Sequence, residues 1–139
     1  MPDRGLTHIA LAVSDLGRSL DFYRRFAGME VVHRRPGVAW ISDRTRPFAI
    51  VLAERGDVGR PLGPFSHLGV ACSSREEVDR LAGIARAEGR LRREPEDGGP
   101  VVGYWCFIDD PDGHTLELTF GQDVAGAVAG LGGPSPDGA

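Results

Sequence analysis

Two histidines begin two similar apolar stretches of this 139-residue chain. His8 opens the stretch HIALAV, and His67 opens the stretch HLGVAC in the second half of the chain. In both stretches larger and smaller residues alternate, which predicts strands with the bulky side chains on one face. The histidines lie on the other face, where small residues such as Ala10 and Gly69 follow them. The pattern therefore predicts two histidines beside an open surface.

A glutamate near the end of the chain adds a third group of this kind. Glu117 lies in the middle of the predicted strand HTLELTF, between two leucines. A carboxylate in such a strand is at least partly buried and needs a partner. A single strand histidine is more often a core residue, and a single glutamate more often pairs with an arginine. Two histidines and one carboxylate together form the triad that binds a divalent metal and leaves coordination positions open. We therefore predict His8, His67 and Glu117 as metal ligands.

The order of elements that must position these residues is the same in both halves of the chain. Helical apolar spacing follows Ser14-Asp15 and again Ser73-Ser74, and both pairs are typical helix starts. Gly28 and Gly89 stand where the two helices are expected to end. The predicted strands cover residues 6–13, 29–34, 38–43, 48–53, 65–72, 90–97, 101–109 and 114–120. The sequence thus predicts an α+β fold of two βαβββ modules.

The module boundaries follow from the composition of the linking segments. A Gly- and Pro-rich segment separates the two repeats, and the end of the chain is rich in Gly, Ala and Pro. We predict one domain at 1–130, with module one at 5–54, a connector at 55–64, module two at 65–122 and a flexible tail at 131–139.

Composition excludes several classes of function. The net charge is −4 and the chain has no basic tract, which argues against nucleic-acid binding. No apolar run is long enough to cross a membrane, and the N-terminus does not resemble a signal peptide, so a cytoplasmic location is expected. All 16 basic residues are arginines, which excludes Schiff-base chemistry through lysine. Cys72 and Cys106 are predicted to be reduced, buried and inert.

Three longer stretches carry a resemblance to a known family. HIALAVSDLGRSLDFY, SHLGVAC and FIDDPDGHTLEL resemble the vicinal oxygen chelate superfamily. This superfamily includes glyoxalase I, type I extradiol dioxygenases, methylmalonyl-CoA epimerase, fosfomycin-inactivating thiol transferases and bleomycin-binding proteins. The resemblance covers roughly residues 5–122. It implies that the two modules form a curved, mostly antiparallel sheet cleft for a divalent metal, in a homodimer that acts on a small-molecule substrate.

The resemblance also indicates which residues would line the cleft. The substrate-binding candidates are Trp105, Phe107, Trp40, Val51, Ala10 and Gly69. The small residues among them leave room near the metal, and the aromatic residues favour an aromatic or apolar ligand. The catalytic residue is not identified, and Tyr104, His33 and Tyr23 are candidates for proton transfer. His114, which adjoins a turn, is predicted to face solvent.

Departures from the family patterns bear on the reaction. Glyoxalases and the epimerase take a fourth ligand from the position of Val51, which cannot bind a metal. Fosfomycin transferases carry a threonine at the position of Ala10 and a tyrosine at that of Phe107. Their lysine- and serine-rich loop corresponds to residues 93–104, which contain neither residue type. Anion recognition would then have to come from other groups, such as Arg92 or Arg93.

The open triad favours one reaction over the others. Extradiol dioxygenases use the same three ligands with Fe(II), although they carry a tyrosine where Phe107 stands. The sequence therefore predicts a metal-dependent enzyme acting on an oxygen-chelating organic substrate, first as an Fe(II) dioxygenase. A lyase or isomerase of glyoxalase type with Zn, Ni or Mn is the second reaction. From a different class, the alternative is a metal-free protein that binds a drug or metabolite, as bleomycin-resistance proteins do.

Overall fold

The computed structural model describes residues 5–130 and divides the chain into two compact units. Of the described residues, the first unit consists of 5–66 together with Asp110–Thr115. The second consists of His67–Asp109 together with residues 116–130. Each unit is built around one four-stranded sheet.

The first unit has the predicted order of one strand, one helix and three strands. Its sheet has the order β1-β4-β3-β2, with β1 parallel to β4 and the other pairs antiparallel. Leu11, Ile41 and Leu52 are buried in its core. The elements are β1 (His8–Val13), α1 (Leu16–Ala27), β2 (Glu30–Arg35), β3 (Val38–Ser42) and β4 (Ala49–Glu54).

Local interactions explain where α1 begins and ends. The Asp15 side chain accepts a hydrogen bond from the Arg18 N–H, as an N-cap residue does. The Leu16 N–H donates to the Glu54 carboxylate at 2.8 Å, which ties the helix start to the end of β4. Gly28 ends the helix with φ 63°, a left-handed conformation that glycine adopts without strain. Phe22, Tyr23 and Phe26 form the buried face of the helix.

The second unit repeats this order. Its sheet has the order β5-β8-β7-β6, with β5 parallel to β8 and the charged strand β6 at the edge, as its polar sequence predicts. Of the two serines that could cap α2, Ser74 accepts the hydrogen bond, from the Glu77 N–H. The elements are β5 (Leu68–Ala71), α2 (Arg75–Ala87), β6 (Leu91–Asp97), β7 (Tyr104–Asp109), β8 (Thr115–Phe120) and α3 (Val124–Ala129). The α+β class with two βαβββ modules is thus confirmed.

Three segments differ from the sequence prediction. The strand predicted at 65–72 begins only at Leu68, so His67 directly precedes β5. Val101 and Val102 lie in a turn before β7, although their β-branched side chains favour strands. The short helix α3 was not predicted, because its alternating small residues carry no apolar stripe and all of them are exposed. The predicted tail at 131–139 lies outside the described residues.

The turn at Asp110–Gly113 packs in the first unit, although the sequence places it in module two. Asp110 accepts hydrogen bonds from the Tyr23 hydroxyl at 2.9 Å and from the backbone N–H groups of Asp112 and His114. The Ser14 N–H, next to the start of α1, donates to the Asp112 carboxylate at 3.1 Å. The turn is therefore bonded to α1 through Asp110 and to the residue before the helix N-cap through Asp112.

The prediction that His114 faces solvent is wrong. Only 3% of this residue is exposed. Its Nδ1 accepts a hydrogen bond from the Leu62 N–H at 2.9 Å, and its Nε2 lies 2.8 Å from the Ala12 carbonyl oxygen, to which it donates. The connector covers the His114 ring because the Leu62 N–H takes the ring Nδ1 as its hydrogen-bond acceptor. Leu62 and His114 are far apart in the chain, so a local turn pattern cannot show this pairing.

The buried carboxyl of Asp110 makes stability depend on pH. Burial raises its pKa above the ordinary value of 3.8, although the nearby His114, the Tyr23 hydroxyl and two backbone N–H groups oppose the shift. A raised pKa in the folded state favours the protonated form, so this stabilisation is complete below 3.8 and is lost as the pH rises through the folded pKa.

We therefore expect Asp110→Asn, a neutral isostere, to gain stability relative to the unaltered protein as the pH rises through this window. Urea unfolding of both proteins between about pH 4 and pH 7 measures the difference. A difference in unfolding free energy that stays constant with pH would show that the carboxyl does not titrate as described. Comparing the two proteins cancels the opposite pH dependence of paired surface carboxylates such as Glu94, whose pKa Arg86 lowers.

Candidate functional site

In the second unit, two of the three predicted metal ligands lie side by side. The His67 Nε2 is 3.9 Å from the Glu117 Oε1. The Glu117 side chain is 10% exposed and that of His67 is 28% exposed. Gly69 stands opposite Glu117 in the β5–β8 register, where an added Cβ would lie 3.4 Å from the second carboxylate oxygen. Glycine at this position leaves the space around the carboxylate open.

The electrostatics of Glu117 suit a cation. Burial raises the pKa of its carboxyl, while the neighbouring His67 and a hydrogen bond from the Gln122 side chain lower it in part. A bound cation would offset the cost of holding this carboxylate ionised.

The spacing and chemistry of the pair also fit a metal ion. A separation of 3.9 Å is too long for a hydrogen bond. It is compatible with two bonds of about 2.0–2.2 Å each to one ion. An imidazole nitrogen and a carboxylate oxygen are donors that first-row divalent metals accept.

Aromatic side chains adjoin this pair. The Phe107 ring lies 4.9 Å from the His67 ring, and the Trp105 ring lies 4.7 Å from that of Phe107. The Arg93 guanidinium lies over Trp105 at 4.8 Å, a cation–π contact. Both aromatic residues are partly exposed. They form a wall on which a flat or apolar ligand could pack.

The third predicted ligand, His8, lies exposed at the start of β1 in the first unit. Its Nδ1 is 2.8 Å from the Thr7 hydroxyl. When Nδ1 carries the proton and donates to that hydroxyl, Nε2 presents its lone pair outward, the form that binds metals. Thr7 is an orienting partner that the sequence analysis missed, and its place directly before the histidine is the signal that could have found it.

The remaining substrate-binding candidates of the first unit share one face of its sheet. Val51 stands opposite Ala10 in the β1–β4 pairing and opposite Trp40 in the β3–β4 pairing. Trp40 in turn stands opposite His33, and the two rings are 4.9 Å apart. Trp40 is 39% exposed, so this face is open. Val51 occupies the register position that Glu117 has in the second unit, and it supplies no ligand.

Two of the three candidates for proton transfer, Tyr23 and Tyr104, have their hydroxyl groups hydrogen-bonded to carboxylates. The Tyr23 hydroxyl is buried against Asp110, and burial raises its pKa far above the ordinary value of 10.0. The Tyr104 hydroxyl donates to Asp79 of α2, and Arg75 lies over its ring at 4.1 Å. His33 is exposed beside Trp40. Neither tyrosine presents a hydroxyl ready for proton transfer.

Arg92 and Arg93 are engaged in ion pairs, and the two cysteines are unreactive. Arg92 bonds both oxygens of Asp109, and Arg93 pairs with Glu96 at 2.8 Å. Both cysteines are unpaired, Cys106 is buried and Cys72 is partly buried. Burial raises the thiol pKa to about 11 for Cys72 and about 12 for Cys106, so both remain protonated at neutral pH.

Within residues 5–130, no group of three or more His, Cys, Asp or Glu side chains is placed to hold a metal ion. The His67–Glu117 pair is thus the part of the predicted triad that one unit brings together. No helix in this part of the chain is both long enough and apolar enough to cross a membrane.

The chain is similar in sequence to members of one known superfamily. The model of the Glyoxalase/Bleomycin resistance protein/Dioxygenase superfamily matches residues 5–118. Uncharacterized protein PA2024 of Pseudomonas aeruginosa is 40% identical over 126 residues, covering 86% of this chain and 90% of that protein. Lactoylglutathione lyase of Escherichia coli O157:H7 is 30% identical, covering 91% of this chain and 98% of that enzyme. Lactoylglutathione lyase GLX1 of Arabidopsis thaliana is 29% identical, and the match spans 44% of its length.

Solved structures share the fold. A possible glyoxalase from Bacillus cereus superposes with a TM-score of 0.68 at 24% identity, covering 84% of this chain and 99% of that one. The fosfomycin resistance protein FosX of Listeria monocytogenes, complexed with Mn(II) and sulfate, superposes with a TM-score of 0.68 at 21% identity, covering 86% of this chain and 92% of that one.

Proposed function

Because the chain belongs to the glyoxalase/bleomycin resistance protein/dioxygenase superfamily, we propose that it is a metal-dependent enzyme. Its substrate is a small organic molecule that chelates the metal through two neighbouring oxygen atoms. The observation that carries the proposal is the buried Glu117 carboxylate, 3.9 Å from the His67 Nε2 and beside the open position of Gly69.

The proposed ligands are His8, His67 and Glu117. When bound, the metal supplies a Lewis acid that polarises the substrate oxygens. Glu117 contributes the negative charge, and its hydrogen bond from Gln122 orients the carboxylate. The Phe107 and Trp105 rings next to His67 hold the apolar part of the substrate and exclude water from that side.

The reaction we favour is of the lyase or isomerase type. Relatives that match most of this chain are named lactoylglutathione lyase, among them the enzyme of Escherichia coli O157:H7. The proposed metal site differs from that of glyoxalases, because Val51 offers no ligand at the position from which they take their fourth.

The same observation supports Fe(II)-dependent dioxygenation as a second candidate. A set of three protein ligands leaves positions for both substrate and oxygen. Metal-free binding of a drug or metabolite on the Trp105–Phe107 wall is the remaining alternative, and metal dependence separates it from both enzymes.

The first experiment is a metal count. We expect protein purified anaerobically without a histidine tag to hold about one divalent metal per chain by plasma mass spectrometry, and His8→Ala to lose it. Iron would favour the dioxygenase, whereas zinc, nickel or manganese would favour the lyase or isomerase. Absence of metal even after reconstitution would overturn the proposal. Sedimentation of the same sample tests the proposed homodimer.

A further inference from the structure

A pocket of about 460 Å³ opens in the first unit beside β1. Ala10, Leu11 and Ala12 of β1 line it, and Ala10 and Ala12 lie on the same strand face as His8. The connector supplies the opposite wall with Val58, Arg60 and Leu62. The pocket thus lies along the edge strand β1, which begins with the proposed metal ligand His8.

Hydrogen bonds hold the connector wall in place. The Leu62 N–H donates to His114 Nδ1, and the Leu62 carbonyl accepts from the Thr115 N–H at 2.7 Å. The Gly63 backbone packs tightly against the Thr115 side chain. A Cβ added to Gly63 would lie 2.4 Å from the Thr115 hydroxyl oxygen. These contacts make the wall a built surface rather than a loose loop.

Arg60 supplies the positive charge of the pocket. Within residues 5–130, no ion pair or hydrogen bond engages its guanidinium, whereas Arg86, Arg92 and Arg93 each pair with a carboxylate. His114 also lines the pocket, but both of its ring nitrogens are engaged by backbone groups. Arg60 therefore has donors left for a ligand, and it is the charged group that does, beside the Ser66 hydroxyl that also lines the pocket.

We propose that this pocket binds a carboxylate of the substrate, with Arg60 as the recognising residue. One guanidinium matches one negative charge and can bond both carboxylate oxygens. Val58 and Leu62 contact the apolar carbons next to that group. The inference rests on the proposed function and narrows its substrate to organic acids that also carry two neighbouring oxygens.

Two probes of equal shape test the charge. 3,4-Dihydroxybenzoate and 3,4-dihydroxybenzamide share a metal-chelating catechol and differ in one negative charge. We expect the Co(II)-loaded protein to bind the benzoate about ten- to a hundredfold more tightly, measured by the cobalt visible spectrum. Arg60→Gln should remove this preference and leave the benzamide affinity unchanged. Arg55→Gln, in the same connector but outside the pocket lining, should retain it.

The outcomes separate the inference from the proposed function. Equal binding of both probes, or equal weakening of both by Arg60→Gln, would overturn the carboxylate subsite and leave the metal site standing. Failure to bind cobalt would overturn the proposed function instead. The subsite is then decided by saturation-transfer NMR of both probes with metal-free protein, where a benzoate preference that requires Arg60 is the supporting result.

Discussion

Replacing Glu117 by glutamine is expected to lower the affinity for Zn²⁺ or Co²⁺ by about a hundredfold or more. The substitution keeps the shape of the side chain but removes the charge that binds the cation, and a neutral amide is a poor ligand for these metals. Because burial already disfavours the ionised carboxyl in the metal-free protein, the neutral variant should fold at least as stably as the original. Calorimetric metal titration and thermal unfolding without metal measure the two effects.

Glu76→Gln is the matched control for this experiment. Glu76 lies in the first turn of α2 and is exposed, so its replacement removes one charge without touching the candidate site. Activity should disappear with Glu117→Gln and persist with Glu76→Gln. Full metal affinity in the Glu117 variant would show that this residue is not a ligand, and unchanged binding of an aromatic ligand would favour the sequestering protein.

Replacing His114 by alanine is expected to reduce the free energy of unfolding by about 2–4 kcal/mol. The buried ring satisfies the Leu62 N–H and the Ala12 carbonyl, and alanine leaves both groups without a partner and opens a cavity. The loss should be visible in urea unfolding as a lower midpoint.

His33→Ala serves as the control for His114. His33 is exposed, and its ring contacts Trp40 without a buried hydrogen bond, so we expect a change of about 0.5 kcal/mol or less. If His114→Ala lowers the free energy of unfolding as little as His33→Ala does, the two backbone hydrogen bonds of His114 contribute nothing to stability. Because His114 also holds the wall of the Arg60 pocket, its variant should weaken binding of 3,4-dihydroxybenzoate.

Local patterns predicted most of the elements for identifiable physical reasons. The alternation of larger and smaller residues predicted the strands β1 and β5, and the leucines around Glu117 predicted that it would be buried, as it is. Helix caps were readable because capping depends on neighbours three residues apart, as Asp15 and Ser74 show. The match of Val51 to Glu117 was also readable, because both pair with the first strand of their own unit.

The sequence by itself determined the two βαβββ modules and the candidate ligands His8, His67 and Glu117, because periodicity and repetition are local properties of the chain. Only the tertiary structure decided the role of His114, the packing of Asp110–Thr115 in the first unit and the pairing of Arg92 and Arg93. It also decided that Arg60 lines a pocket. Hydrogen bonds and ion pairs between residues far apart in the chain depend on which backbone and charged groups folding brings together, and no local pattern encodes that choice.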